Sequence, residues 1–338
     1  MISYVPTKPI DIVSGDLALN IEAWLSNRGE RCGDLACVID NPFFGPLTDL
    51  AVFHEFVALR NWHWNTRDLS PQTYLGACDD VLVDAQDIRV WIGPTVCEGL
   101  TAVAAIERLQ RLGVARDRIR LIDATDLTLP IGVSRLADLA GLEEPERITP
   151  KMEQALSRAW TAFTSSDPKH LALYAQDQSL LGFLRRTARA LVRLYPDRSS
   201  GLGLLESRAL APLSSAWRPA VDAVITALDV SHQDPDGAWL GDLSLFECLK
   251  ELSHRSLEAP LLEMRMAHDD PARIIDPRRP LKNMANTEVR LTRHGEACLA
   301  GELNHVGVNG IERWVAGVYL TSRGGNVWFR DGEDLVPA

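Results

Sequence analysis

What the chain lacks narrows its class first. No stretch of the 338 residues reaches the roughly 18 consecutive apolar side chains that a membrane-spanning helix needs. No basic segment followed by a long apolar core occurs between Met1 and Asp16, so no secretory leader is expected. The six cysteines (Cys32, Cys37, Cys78, Cys97, Cys248 and Cys298) form no Cys-x-x-Cys pair. Scattered thiols in a chain this long read as reduced, and a cytoplasmic location is expected. Also absent are the G-x-x-x-x-G-K-[ST] phosphate loop, the G-x-G-x-x-G fingerprint, the H-E-x-x-H zinc helix and the G-x-S-x-G nucleophile elbow. There is no internal repeat and no low-complexity tract.

Positive charge is short as well. Lys and Arg total 35 against 46 Asp and Glu, a net charge of −11. Nucleic-acid binding needs a local positive field, so a polyanionic partner is disfavoured, although a small basic patch stays open. The 46% hydrophobic and 24% charged residues match a globular chain and exclude a disordered or fibrous one. The length predicts about two domains, with room for a helical connector.

The order of apolar runs predicts the fold class. Ile10–Val13, Leu35–Ile39, Ile88–Ile92 and Ile119–Ile122 read as strands. Helical spacing follows at Leu17–Leu25, Thr48–Trp62 and Leu100–Leu112. Strand, turn and helix repeated with short loops indicate a Rossmann-like parallel sheet covered by helices. Helices are expected at Met152–Phe163, Lys169–Ala175, Leu180–Tyr195, Pro219–Leu228 and Leu243–Leu252. Short β runs follow at Val289–Leu291, Trp314–Leu320 and Val327–Phe329, with a hairpin signal at Arg323-Gly324-Gly325-Asn326. The expected division is an α/β ligand-binding domain at 1–145, a helical connector at 146–215 and a small winged-helix-like α+β module at 216–338.

Ligands of parallel sheets bind at the carboxyl ends of the strands, which here carry Ser14, Gly15, Asp16, Asp40, Gly93 and Asp123. Ser14-Gly15-Asp16 reads either as an anion cradle at a helix start or as a plain capped turn. Thr95 and Glu98 have the spacing of a capping box; Glu98 is also a candidate pocket carboxylate or general base, with Asp16 the second candidate for acid–base work. Gly45, in the Gly45-Pro46 turn, joins the candidate pocket. Arg60 with Trp62 and Trp64 could hold a carboxylate or phosphate, or simply complement a helix end. Asp16, Asp40 and Asp123 could meet around a magnesium ion, but strand-end carboxylates also serve as turn formers, and no metal is expected. His54 and His63, nine positions apart, fall on opposite sides of a straight helix and cannot share an ion. Arg185, Arg186, Arg189 and Arg193 form a stripe that reads as a solvated face. Cys97, in the first turn of the third helix, reads as an inert thiol rather than a nucleophile.

Three groups of residues carry a family resemblance. They are Ser14-Gly15-Asp16 with Asp40 and Phe44-Gly45-Pro46; Trp160 with Ser166-Asp167-Pro168 and Gly182-Phe183-Leu184; and Gly241-Asp242 with Asn309-Gly310-Ile311-Glu312-Arg313-Trp314. Together they resemble the bacterial family catalogued as domain of unknown function number 1835, with its C-terminal companion number 3658. The resemblance covers nearly the whole chain and implies an architecture and pocket positions, not a reaction. Many relatives carry His-Glu where this chain has Phe43-Phe44, and an acidic, histidine-containing run where it has Gly93-Pro94-Thr95. Any acid–base or metal chemistry of those groups is missing here. Asn309 and Arg313, in the most specific run, could clamp a ligand or lock the C-terminal module in place.

The expected function is a cytoplasmic small-molecule enzyme or ligand-binding protein with an anion or zwitterion pocket at the strand ends. That pocket would use Ser14, Gly15, Asp16, Asp40, Gly45, Arg60, Trp62, Gly93, Thr95 and Glu98, with Asn309 and Arg313. The alternative is a ligand-sensing regulator whose winged-helix-like module touches nucleic acid; a third is a partner-binding protein with a filled crevice. The sequence names no cofactor, leaves catalysis undecided and leaves a homo-oligomer open.

Overall fold

A computed structural model describes residues 9–14, 35–38, 45–47, 79–127, 136–139, 142, 144–266 and 280–338. The architecture is mixed α/β: four parallel strands toward the N-terminus, helices through the middle and small antiparallel sheets toward the C-terminus. Two compact units divide it, Met1–Arg189 with Trp314–Val318, and Ala190–Arg313 with Tyr319–Ala338.

The first unit is organised by a five-stranded sheet in the order β2-β1-β3-β4-β5. Its strands are β1 (Ile10–Ser14), β2 (Leu35–Val38), β3 (Ile88–Ile92), β4 (Ile119–Asp123) and β5 (Glu146–Arg147). The first four are parallel, as their near-continuous apolar runs predict for strands buried on both faces, and β5 is antiparallel to β4. β1 and β3 are neighbours, with β2 outside β1 and β4 outside β3, so the strand order reverses between them. Every residue of β3 is buried, and Ile12, Val90 and Leu121 are closed to solvent or nearly so.

Helix α1 (Asp79–Asp84) precedes β3, and α2 (Val96–Arg111) joins β3 to β4. The guanidinium of Arg118 closes the end of α1 by donating to the carbonyls of Val83 (2.9 Å) and Ala85 (2.8 Å). After α3 (Leu136–Leu139) come α4 (Pro150–Phe163), α5 (Pro168–Gln176) and α6 (Gly182–Val192). Thr149 and Asp167 cap α4 and α5 at their starts, each followed by proline at the first helical position. The unit limits differ from the expected 145 and 215. Beyond 145 the chain still belongs to the first unit, because β5 extends its sheet and α4 packs on α2. The chain passes into the second unit within α6.

The second unit contains α7 (Leu204–Leu210), β6 (Arg218–Pro219), α8 (Ala220–Ser231), α9 (Asp242–Leu252), β7 (Leu262–Met266), α10 (Pro280–Ala285) and β8 (Thr287–Leu291). β6, β8 and β7 form an antiparallel sheet in that order. The short helices α11 (Arg293–Leu299) and α12 (His305–Asn309) follow. The run Trp314–Leu320, expected as one strand, is two. β9 (Glu312–Val315) and β10 (Val318–Thr321) pair about a turn in which Ala316 takes a left-handed φ of 50°. Gly317 completes that turn, and a Cβ there would fall on the backbone of Thr164 and Ser165. The turn expected at Arg323–Asn326 is present, with a bridge between Thr321 and Asn326, but the strand after it, β11 (Trp328–Asp331), pairs with β12 (Asp334–Pro337). The helices expected at Leu17–Leu25 and Thr48–Trp62 lie outside the described residues.

Candidate functional site

Because β1 and β3 are adjacent, Ser14 at the end of one strand and the Gly93-Pro94-Thr95 turn after the other belong to neighbouring strand ends. That is the position where parallel sheets open a crevice. The turn leads directly into α2. Thr95 caps the helix: its Oγ1 accepts from the Glu98 N–H at 3.2 Å. The Glu98 carboxylate answers by accepting from the Thr95 N–H at 3.0 Å and from the Thr95 hydroxyl at 2.9 Å. This is the capping box that the spacing predicts, and it places a carboxylate, 2% exposed, at a helix start where the backbone dipole favours negative charge. Gly93 is part of the device, since a Cβ there would land on the Glu98 carboxylate. Only glycine leaves room for the cap.

Below the strand ends lies a feature that sequence reading missed. Asp11 on β1 is fully buried, and its register partner on β3 is Arg89. The guanidinium meets the carboxylate with two bonds, Nε to Oδ1 at 2.8 Å and Nη2 to Oδ2 at 2.6 Å. Trp91, two residues on and therefore on the same face, donates Nε1–H to Oδ1 at 2.8 Å. The signal was present as Ile-Asp-Ile-Val and Ile-Arg-Val-Trp-Ile: one acid and one base at the second position of two strands that must both be buried. A charge in such a strand needs a partner, and the neighbouring strand supplies one here.

The other candidates fall in different places. Gly15, Asp16, Asp40, Arg60, Trp62 and Trp64 lie outside the described residues, as do His54 and His63. Gly45 takes a left-handed φ of 73°, and the Leu47 N–H just after it bonds the Ala316 carbonyl at 2.9 Å. Asp123 is exposed and accepts from the Thr125 N–H at 2.9 Å, the arrangement of a turn former. Cys97 is half-buried in the first turn of α2.

Asn309 and Arg313 belong to the second unit. The Asn309 amide pairs with the Ala259 backbone as a strand would, accepting from its N–H at 2.8 Å and donating to its carbonyl at 2.9 Å. Its Nδ2 also lies 3.0 Å from Nδ1 of His305, whose pKa burial pushes down to about 4. Arg313 pairs with Glu206 and donates to the Leu194 carbonyl at 3.2 Å; burial lowers its pKa to about 10. Gly203 lies against this pair, with no room for a side chain between Glu206 and the Leu194 carbonyl.

The arginine stripe on α6 is not uniform. Arg189 is exposed and Arg185 bonds Gln178. Arg193, just beyond the helix, grips Asp234 with two bonds of 2.8 and 2.7 Å and reaches Asp236 at 3.2 Å. Burial alone would raise the Asp234 carboxyl; hydrogen bonds and charge from Arg193, with help from Asp236 N–H and Arg208, hold it below its ordinary value. Arg186 is half-buried, and its Nη2 is enclosed without a hydrogen-bond partner.

On the outer face of the β6-β8-β7 sheet, Arg265 and Arg290 sit 4.1 and 4.6 Å from the Trp217 ring centre. Each also pairs across the strands, with Glu288 at 2.7 Å and Glu263 at 2.8 Å. In the first unit an open groove of about 350 Å³ is lined by residues of α4 and α5, among them Ser157, Arg158, His170 and Tyr174. Among the described residues no group of three or more His, Cys, Asp or Glu is placed to hold a metal ion, and no helix is long and apolar enough to cross a membrane. No known family model matches the chain, and no curated protein matches it.

Proposed function

We propose that the first unit binds a small anionic or zwitterionic molecule at the carboxyl ends of β1 and β3, as an enzyme or a ligand-binding protein. One observation carries the reading: the strand order reverses between β1 and β3, so Ser14 and the Gly93-Pro94-Thr95 turn flank the switch point of a Rossmann-like parallel sheet. The Asp11–Arg89–Trp91 cluster supports it by fixing the register of the two strands whose ends form the site. The resemblance to the family of domain number 1835 belongs to the same proposal.

The second unit supports a coarser companion reading. The order of helix α7, strand β6, helices α8 and α9, then strands β7 and β8, in an antiparallel sheet ordered β6-β8-β7, supports reading this part as a winged-helix-like module. Its third helix, α9, carries Asp242, Glu247 and Glu251 against a single Lys250, and Arg265 and Arg290 are already paired. That charge pattern favours a structural or protein-contacting module over a nucleic-acid reader.

Crystals of the full chain soaked separately in inorganic phosphate, glutamate and adenosine monophosphate test the site. Density in contact with Ser14 and the Gly93–Thr95 turn is expected for at least one of them. Density only elsewhere, or a crevice already filled by side chains, overturns the reading. Binding to a DNA duplex that falls steeply with salt would favour the regulator instead.

A further inference from the structure

Strand β7 (Leu262–Met266) lies at the edge of its sheet. The order is β6-β8-β7, and among the described residues no strand pairs with the far side of β7. An edge strand offers a row of N–H and C=O groups to any chain that can pair with it. β7 holds no proline, and its five register pairs with β8 run without a bulge. Which groups face outward follows from β8. The Leu291 N–H turns to the β6 side, to the Ser214 carbonyl at 2.7 Å, while the Thr292 N–H turns to the β7 side, to the Leu261 carbonyl at 3.1 Å. By alternation the backbone groups of Arg290 and Glu288 face β7. Their partners Glu263 and Arg265 therefore bond β8, and the N–H and C=O of Met264 point outward.

The side chains of this edge are self-complementary. Glu263 and Arg265 stand half exposed on the outer face, an acid and a base on either side of Met264. When a second β7 lies antiparallel with Met264 opposite Met264, Glu263 of each copy meets Arg265 of the other. Charges then alternate across the pair: Glu288 and Arg265 of one copy, then Glu263 and Arg290 of the second copy. The registers on either side would set Glu263 against Glu263 or Arg265 against Arg265, like charges directly opposite. On the other face Met264 and Met266 are only half-buried, and Met264 would meet its own counterpart.

We propose that the chain self-associates through β7, two copies pairing antiparallel about Met264 to join their three-stranded sheets into one. A two-fold axis makes such a contact the same on both sides. Leu262 is already buried, so the contact is short, Glu263–Arg265 with Met266 at its margin, and the association is weak and reversible. The inference is independent of the strand-end reading.

Sedimentation velocity of the full chain over rising protein concentration, at low and high salt, reads the association. A shift toward dimer with concentration, reduced at high salt, is expected. The register is read with a charge-reversed chain, Glu263→Arg with Arg265→Glu, Glu288→Arg and Arg290→Glu, which keeps the two ion pairs within the chain. Labelled with donor and acceptor dyes, wild type pairs with wild type and reversed with reversed. The mixed pair sets like charges opposite and is weaker by about tenfold or more. Met264→Cys probes the same axis without touching a charge: mild oxidation links it into a disulfide dimer, whereas Ile225→Cys, exposed on α8, links no faster than wild type.

A chain that stays monomeric at every concentration overturns the inference. Mixed pairs as strong as matched ones overturn it too, as does Met264→Cys linking no faster than Ile225→Cys. If the reversed chain does not fold, the cysteine comparison decides alone.

Discussion

Replacing Asp11 by alanine isolates the energetics of the first unit. The side chain is fully enclosed, and Arg89 facing it is 7% exposed. Removing the carboxylate takes away two charge-assisted bonds of 2.8 and 2.6 Å and the acceptor of the Trp91 indole N–H. The dominant loss is one charged partner, held by two bonds, of a cation that stays buried, which costs up to about 3–5 kcal/mol. The paired change Asp11→Leu with Arg89→Met should behave differently, because an apolar pair of similar volume costs no desolvation. Its expected cost is about 1–3 kcal/mol, most of it from the Trp91 N–H left without its Asp11 acceptor, and so below that of Asp11→Ala. The two units need not unfold together. The measurement is therefore urea-dependent hydrogen exchange of the β1 and β3 amides in the full chain. An Asp11→Ala loss below about 1 kcal/mol, or a double variant as damaged as the single one, would refute the claim that this pair holds the two strands in register. A slip of one residue would turn Asp11 to the other face of the sheet, so the pair specifies alignment more than it adds net stability.

The elements legible in the sequence are those buried on both faces. β1, β3 and β4 start where their apolar runs start, and the capping-box spacing of Thr95 and Glu98 marks the start of α2. The antiparallel strands were harder to see. β7 reads Leu-Glu-Met-Arg-Met, with Glu263 and Arg265 on the solvent side, so no apolar run announces it. β5 and β6 are two residues each, too short for any period. Trp314–Leu320 looks like one strand because Ala316, an unusual residue at positive φ, hides the turn. The candidate site divides the same way. Gly93, Thr95 and Glu98 were legible because capping chemistry is local. Asp11 with Arg89 is a contact across 78 residues. Arg193 left the solvated stripe for the same reason: its partner Asp234 is 41 residues away.

Two further outcomes follow from named side chains. Glu98→Gln keeps an acceptor for the Thr95 N–H and hydroxyl, so the expected loss is about 0.5–1 kcal/mol by urea unfolding; a loss well beyond that would mean the carboxylate does more than cap α2. His305 gives one component of the pH dependence of the second unit. Burial lowers its pKa to about 4 from an ordinary 6.5, and with Nδ1 facing Asn309 Nδ2 the ring stays neutral when folded, accepting at Nδ1. Between these values the unfolded chain binds a proton that the folded chain refuses. Stability is therefore full above pH 6.5 and falls as pH drops toward 4, by at most about 3 kcal/mol. The carboxyls of Asp234 and Asp197 are held below their ordinary 3.8, so their contributions begin to fade only from about pH 5 downward, while burial raises the Glu251 carboxyl, which therefore acts in the opposite sense as pH falls. Hydrogen exchange of the β7 and β8 amides, followed from pH 7 to 4, should show the slope in wild type and a flattened one in His305→Gln; equal slopes in both would remove His305 as its source.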